Sequence, residues 1–155
     1  MHYSLLVIAD GTKTLEEIMR PFDYDYAYDN GLYKNAKWDW YSVGGRFFGY
    51  LDAKIGGHGE RCESDFRKSI YFKPIRPYGY GKFDIARVKD IQTLNPYCFH
   101  DLLTPDGVWH QAEFYDPARI NGKYFLENTW FHDGLLERLQ ERYPDCLAIV
   151  VDYHV

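Results

Sequence analysis

Cysteine is scarce and unpatterned: Cys62, Cys98 and Cys146 stand far apart, with no CxxC spacing among them. An odd, scattered set supports neither a disulfide framework nor a zinc site, so each reads as a small hydrophobe or an idle thiol. A surplus of positive charge is also missing. Lys and Arg total 18 against 23 Asp and Glu, a formal net charge of −5. Non-specific nucleic-acid binding, which needs a broad basic face, is therefore not expected. No apolar run approaches the roughly 18–20 residues of a membrane-spanning helix, so a membrane partner is not expected either. Met1-His2-Tyr3-Ser4 lacks the basic n-region and small-residue cleavage site of a signal peptide. The expected location is the cytoplasm.

Familiar catalytic spacings are absent as well. The chain has no GxxxxGK, GxGxxG or GxSxG, no HExxH or HxH, and no pair of HxT/S motifs. No cofactor and no metal site is assigned on this basis. Histidines are present (His100, His110 and His132 among them) but scattered. Asp23, Asp25 and Asp29 crowd one stretch, yet spacing alone does not bring two carboxylates around a substrate.

What the chain has in abundance is aromatic surface. Fifteen Tyr, 10 Phe and 4 Trp make up 19% of its 155 residues, and Tyr and Trp join a flat apolar body to a polar tip suited to stacking. The length suits a single domain, 1–155, able to bury a core without staples.

Element signals are strongest at the two ends. His2–Ala9, HYSLLVIA, is an apolar run closed by Asp10-Gly11 and reads as a buried strand. Thr14 and Glu17 have capping-box spacing for a short helix through Met19, which Pro21 ends. The stretch 22–33, FDYDYAYDNGLY, reads as strand or loop, since alternating Tyr and Asp suits neither element well. Residues 98–112 carry a hairpin signature around Pro105-Asp106-Gly107. Helical spacing of Leu135, Leu136 and Leu139 predicts a helix over 128–143, and 147–151, LAIVV, a buried closing strand. This order predicts an α+β fold, a ferredoxin-like βαββαβ sandwich with its helices on one sheet face. A long insertion, about 22–97, would then separate the first helix from the hairpin, and such insertions commonly carry function.

Within that insertion, 37–46 is the leading candidate site. Gly44-Gly45 permits left-handed backbone and close approach, with amides able to cradle an anion. Arg46 can hold phosphate or carboxylate bidentately, with Lys37 as an added point charge. Trp38, Trp40 and Tyr41 offer stacking surfaces, and Asp39 can accept from a ribose hydroxyl or a base edge. The competing reading is structural: Trp38, Trp40 and Val43 fill core, Gly44-Gly45 is a bulge, and Arg46 pairs with Asp39. On the hairpin return, Trp109 and His110 join the candidate binding set, His110 being able to act as acid or base. His154 and Asp152 share a strand face and form a further pair, which terminal exposure would also explain.

The motifs KWDWYSVGGRF (37–47), ARVKDI (86–91), TPDGVWH (104–110) and VVDYHV (150–155) resemble those of small phage and prophage proteins of uncharacterised activity. That group carries a KWDWYxxGGRW-type core, a TPDGxWH turn and a VDxHI-type ending. Phe47 departs from the group's usual Trp. The resemblance implies a phage origin, and hence host cytosol, more strongly than it implies an activity. By analogy with phage proteins that disarm host nucleotide signalling, the expectation is a counter-defence protein that sequesters a cyclic nucleotide or ADP-ribose signal. The alternative is a metal-independent phosphodiesterase acting on such a signal, with Lys37 and Arg46 stabilising charge and His110 or Tyr41 as acid or base. A third reading is a protein-binding inhibitor anchored by exposed Tyr and Trp. A nucleotide-like ligand is the expected partner, and a second copy of the chain is allowed for.

Overall fold

The fold is seen in a computed structural model that describes residues 1–47, 51–53, 85–94, 99–111 and 134–155. Along the chain these form β1 (His2–Ala9), α1 (Leu15–Met19), α2 (Tyr24–Asp29), β2 (Trp40–Val43), β3 (Asp52–Ala53) and β4 (Ile85–Arg87). Then follow β5 (Ile91–Thr93), β6 (Asp101–Leu103), β7 (Trp109–Gln111), α3 (Leu135–Arg142) and β8 (Leu147–His154). The glycine-rich 56–59, the proline-bounded 71–80, and Cys62 and Cys98 lie outside the described residues.

Two strands too apolar for an edge form the centre of the sheet. β1 and β8 pair antiparallel over their full length, from His2↔His154 to Ala9↔Leu147, as neighbouring first and last strands should. On the outer side of β8, β2 covers its C-terminal half and β4 its N-terminal half. Parts of the stretch 22–97 therefore belong to the main sheet rather than to an appendage. On the other side, β6 and β7 form the expected hairpin. Gly107 at φ 80 permits the turn, closed by Thr104 N–H to Val108 O at 3.2 Å. The order is β2-β8-β1-β6-β7, while β3 and β5 form a separate pair.

This is a mixed α+β architecture with a sheet core, but the described strands do not follow the ferredoxin-like order. That sandwich would set the second hairpin strand antiparallel against β1. Here the first, β6, lies there in parallel, Leu5↔Asp101 to Val7↔Leu103. A parallel neighbour needs a crossover of a dozen or more residues, and the chain between Ala9 and Asp101 provides it.

The helices also lie on opposite faces rather than one. Odd-numbered residues of β1 and β8 (Leu5, Val7, Ile149, Val151) pack with Leu15, Met19, Phe22 and Trp38. Even-numbered ones (Leu6, Ile8, Ala148, Val150) pack with Leu135 and Leu139 of α3 and with Leu51, Val88 and Ile91. Burial on both faces is why these strands read as continuous apolar runs rather than alternating ones.

Local chemistry sets the helices. The capping box closes in both directions: Glu17 N–H donates to Thr14 Oγ1 at 3.1 Å and Thr14 N–H to Glu17 Oε2 at 2.8 Å. The Tyr/Asp stretch is neither strand nor loop over 24–29 but helix α2. Asp23 caps it by accepting from Tyr26 N–H at 2.8 Å, and Tyr24 stacks on Tyr28 one turn on. α3 starts at left-handed Gly134 (φ 88); the expected start at 128 lies outside the described residues. Among the described residues, no helix is long and apolar enough to cross a membrane.

Candidate functional site

Cross-strand partners share a sheet face, so register alone gathers a polar cluster at one end of the even-numbered face. His154 pairs with His2 on one side and Trp40 on the other; Asp152 pairs with Ser4 and Ser42. Six side chains from β1, β8 and β2 thus form two adjacent rungs.

Asp152 is the buried centre, 2% exposed. Its Oδ1 lies 2.8 Å from His2 Nδ1, and its Oδ2 accepts from the backbone N–H of Arg46 at 3.0 Å. A carboxylate only accepts, so Nδ1 donates and the lone pair of the neutral imidazole sits on Nε2. Among the described residues that Nε2 makes no hydrogen bond. The backbone reaches Asp152 through two successive left-handed glycines, Gly44 (φ 71) and Gly45 (φ 53). A Cβ on Gly45 would stand 2.5 Å from Asp152 Cβ and Oδ2 and 2.8 Å from Ser42 Oγ. Only glycine fits there. The Arg46 amide, expected to be free for an external anion, cradles the chain's own carboxylate instead.

A second pair stands beside the first. His154 Nδ1 lies 2.8 and 3.1 Å from the two Asp39 oxygens, and its Nε2 lies 3.3 Å from the Met1 nitrogen. Slight burial works to raise the Asp39 carboxyl, but the hydrogen bond and charge of His154, with backbone N–H groups, hold it below the usual range. The Trp40 ring stacks on His154 (5.9 Å between centroids, 11°) and meets His2 edge-on at 5.2 Å, yet stays 41% exposed. The guanidinium of Arg46, on an exposed residue, has no carboxylate partner among the described residues. The Arg46–Asp39 pairing is thus not formed.

The sequence candidates divide by face. Trp40, Asp39, Gly44, Gly45 and Arg46 converge on this cluster. Lys37 lies on the segment entering β2, its backbone N–H bound to Phe22 O at 2.8 Å. Trp38 does not stack on anything external: it is buried in the odd face, with Nε1 donating to Met19 O at 3.1 Å. Tyr41 packs on the same face, edge to Trp38, and burial followed by the Glu16 carboxylate pushes its phenol far up. A phenol held so firmly protonated is a poor base near neutrality.

Trp109 and His110 do not reach the cluster. They lie on β7, four strand spacings from β2, on the order of 19 Å. Trp109 packs against Phe22 and Tyr153, and His110 Nε2 bonds Thr104 Oγ1 at 3.0 Å. His2 was missed as a site residue. The signal was present: polar residues at even positions, His2-x-Ser4 and Asp152-x-His154, at the matched ends of two apolar strands. Asp152 and His154 do share a face, but each takes a different partner.

A second buried carboxylate, Asp101, sits on the odd face. Tyr153 OH donates to its Oδ2, and His100 Nδ1 lies 3.1 Å from the same oxygen. Burial, then the Asp101 charge, drives the Tyr153 phenol upward. Among the described residues, Asp101 Oδ1 and Trp109 Nε1 are buried without hydrogen-bond partners. A shallow pocket at the carboxyl ends of β1 and β6 includes Asp10, Lys13 and Thr104. It is about 23 Å along β1 from His2, and none of its lining residues is aromatic.

Among the described residues, no three His, Cys, Asp or Glu side chains are grouped to hold a metal ion. Compared with protein-family models, with curated proteins and with solved structures, the chain has no match.

Proposed function

We propose that the protein binds a small nucleotide-like ligand at the Asp152 end of the sheet and holds it, as a phage-type counter-defence protein that sequesters a host signal would. The observation that carries this reading is the convergence of an exposed indole (Trp40), the His2 ring and the backbone amide of Arg46 around one buried carboxylate, with the Arg46 guanidinium without a carboxylate partner among the described residues. A base stacked on Trp40 would gain about 1–3 kcal/mol, and a phosphate on Arg46 a charge-assisted bidentate contact. Lys37, two residues before Asp39, adds charge of the right sign. The phage setting rests on the sequence resemblance alone.

The test is to incubate the protein with cyclic di-AMP, cyclic di-GMP, 3′,5′-cyclic AMP and ADP-ribose, remove free ligand, release the remainder by heat and separate it by chromatography. Retention of one of these, abolished by Trp40→Ala, is the expected result. Retention of none would overturn the reading and favour a protein partner for the exposed aromatics.

A further inference from the structure

We infer that His2 is a catalytic residue and Asp152 its positioning residue, together hydrolysing a phosphodiester of the nucleotide bound against Trp40 and Arg46. The inference rests on the nucleotide-binding reading and extends it from holding to cleaving. Three features of the cluster support it.

The first is the direction of the imidazole. Asp152 Oδ1, 2.8 Å from Nδ1, orients the ring and selects the tautomer whose basic nitrogen is Nε2. His2 itself is only partly buried, 18% exposed at the side chain, so Nε2 can meet solvent and ligand while its partner stays covered. The second is the fixing of Asp152. Its other oxygen takes the Arg46 amide at 3.0 Å, and Gly45 leaves no room between backbone and carboxylate. A base whose orienting group is itself held is what proton transfer requires. The third is proximity. The His2 ring and the Arg46 backbone amide meet the two oxygens of one carboxylate, and the His2 ring lies 5.2 Å from Trp40. Stacking platform and base are therefore adjacent, and the residue that carries the cation is tied through its backbone to the same carboxylate. His154 differs: its Nδ1 is bonded to Asp39 and its Nε2 faces the Met1 nitrogen, so it supports the Trp40 ring rather than reacting.

In the reaction, Nε2 of neutral His2 accepts a proton from water as the water oxygen bonds to phosphorus. The phosphorus bond to the sugar oxygen breaks, and that oxygen leaves with a proton from solvent. His2 then returns its proton to solvent. The net change is addition of water across the diester, giving a phosphomonoester and an alcohol with no oxidant or reductant. Asp152 stabilises the transient imidazolium, and Arg46 the charge gathering on the phosphoryl oxygens.

The experiment uses the full chain with cyclic di-AMP, followed by chromatography at intervals from pH 5 to 8, with retained ligand measured separately. The expected result is linear dinucleotide and mononucleotide products. His2→Asn keeps a donor for Asp152 but has no basic nitrogen. It should retain ligand and lose at least about a hundredfold in rate. Asp152→Asn should lower kcat with KM little changed. Intact ligand recovered from wild type at every pH would overturn the hydrolytic role and leave binding standing; no product from wild type together with no ligand retained by either wild type or His2→Asn would overturn both. Cleavage by His2→Asn at the wild-type rate would also overturn it. Should His2→Asn fail to fold, Asp152→Asn decides: a kcat equal to that of wild type rules out the His2–Asp152 pair.

Discussion

Single residues at the Asp152 end differ in what their loss should do. Arg46 contributes its amide to the fold and its guanidinium to nothing else among the described residues. Arg46→Ala should therefore fold normally, with a melting temperature near wild type. It should bind nucleotide roughly tenfold to a hundredfold more weakly, the equivalent of about 1.5–3 kcal/mol for a charge-assisted contact. Titration calorimetry with whichever nucleotide is retained reads this directly, and unchanged affinity would remove Arg46 from the site. Gly45 presents the opposite case. Gly45→Ala and Gly31→Ala both place a Cβ at positive φ, which costs about 1–2 kcal/mol. Only at Gly45 does that Cβ also collide, 2.5 Å from Asp152, whereas Gly31 has nothing within 4 Å. Overpacking adds about 1–3 kcal/mol. Thermal melts should show Gly45→Ala losing clearly more than Gly31→Ala; equal losses would mean that Asp152 is free to move aside.

At the scale of elements, packing and capping separate. α3 buries Leu135 and Leu139 against the even face, while Leu136 is only partly covered. Leu139→Ala should lower stability by about 2–5 kcal/mol through lost transfer energy and a residual cavity, and Leu136→Ala by distinctly less. Denaturant melts of the two variants check the assigned face. α1 is short, five residues, so its box matters more than its length. Thr14→Ala should cost about 0.5–2 kcal/mol, and Thr14→Ser should restore most of it. This helix was readable because its signal is local: one hydroxyl, one carboxylate and fixed spacing. α2 was not, because alternating Tyr and Asp resembles a strand. Its decisive feature, Asp23 accepting from Tyr26 N–H while Asp23 bridges to Trp38, depends on a neighbour fifteen residues along the chain.

For the molecule as a whole, buried and paired ionisable groups set an acid limit. Burial, partly offset by the Asp106 charge, holds the His110 imidazole below its usual range. The unfolded chain then takes up a proton near pH 6.5 that the folded chain resists. Stability from this source is complete above that pH and is lost as pH falls through the lower folded value. Melting temperatures between pH 7 and 5 should decline in wild type and decline less in His110→Gln. Identical slopes would show that His110 carries no such linkage. Asp39, its carboxyl held low, works further down: its contribution is present above about pH 3.8 and fades as pH falls below that value.

Read by itself, the sequence determined what depends on neighbours along the chain: two buried strands, a capped helix, a Pro-Asp-Gly hairpin and the amphipathic stripe of α3. It also marked 37–46 as a place where aromatic rings, glycines and a cation meet. Tertiary structure decided what depends on partners far away. The parallel contact of β6 with β1 follows from long-range pairing that no local pattern specifies. Trp38 and Trp40 are two residues apart and alike in type, but Trp38 precedes β2 and packs into the odd-face core, while Trp40, the first residue of β2, pairs with His154 on the even face and stays exposed. His2 and Asp152, 150 positions apart, become a hydrogen-bonded pair because antiparallel register sets the ends of β1 and β8 side by side. Side-chain alternation along a strand is local, but the face that meets a partner is settled only when the sheet assembles.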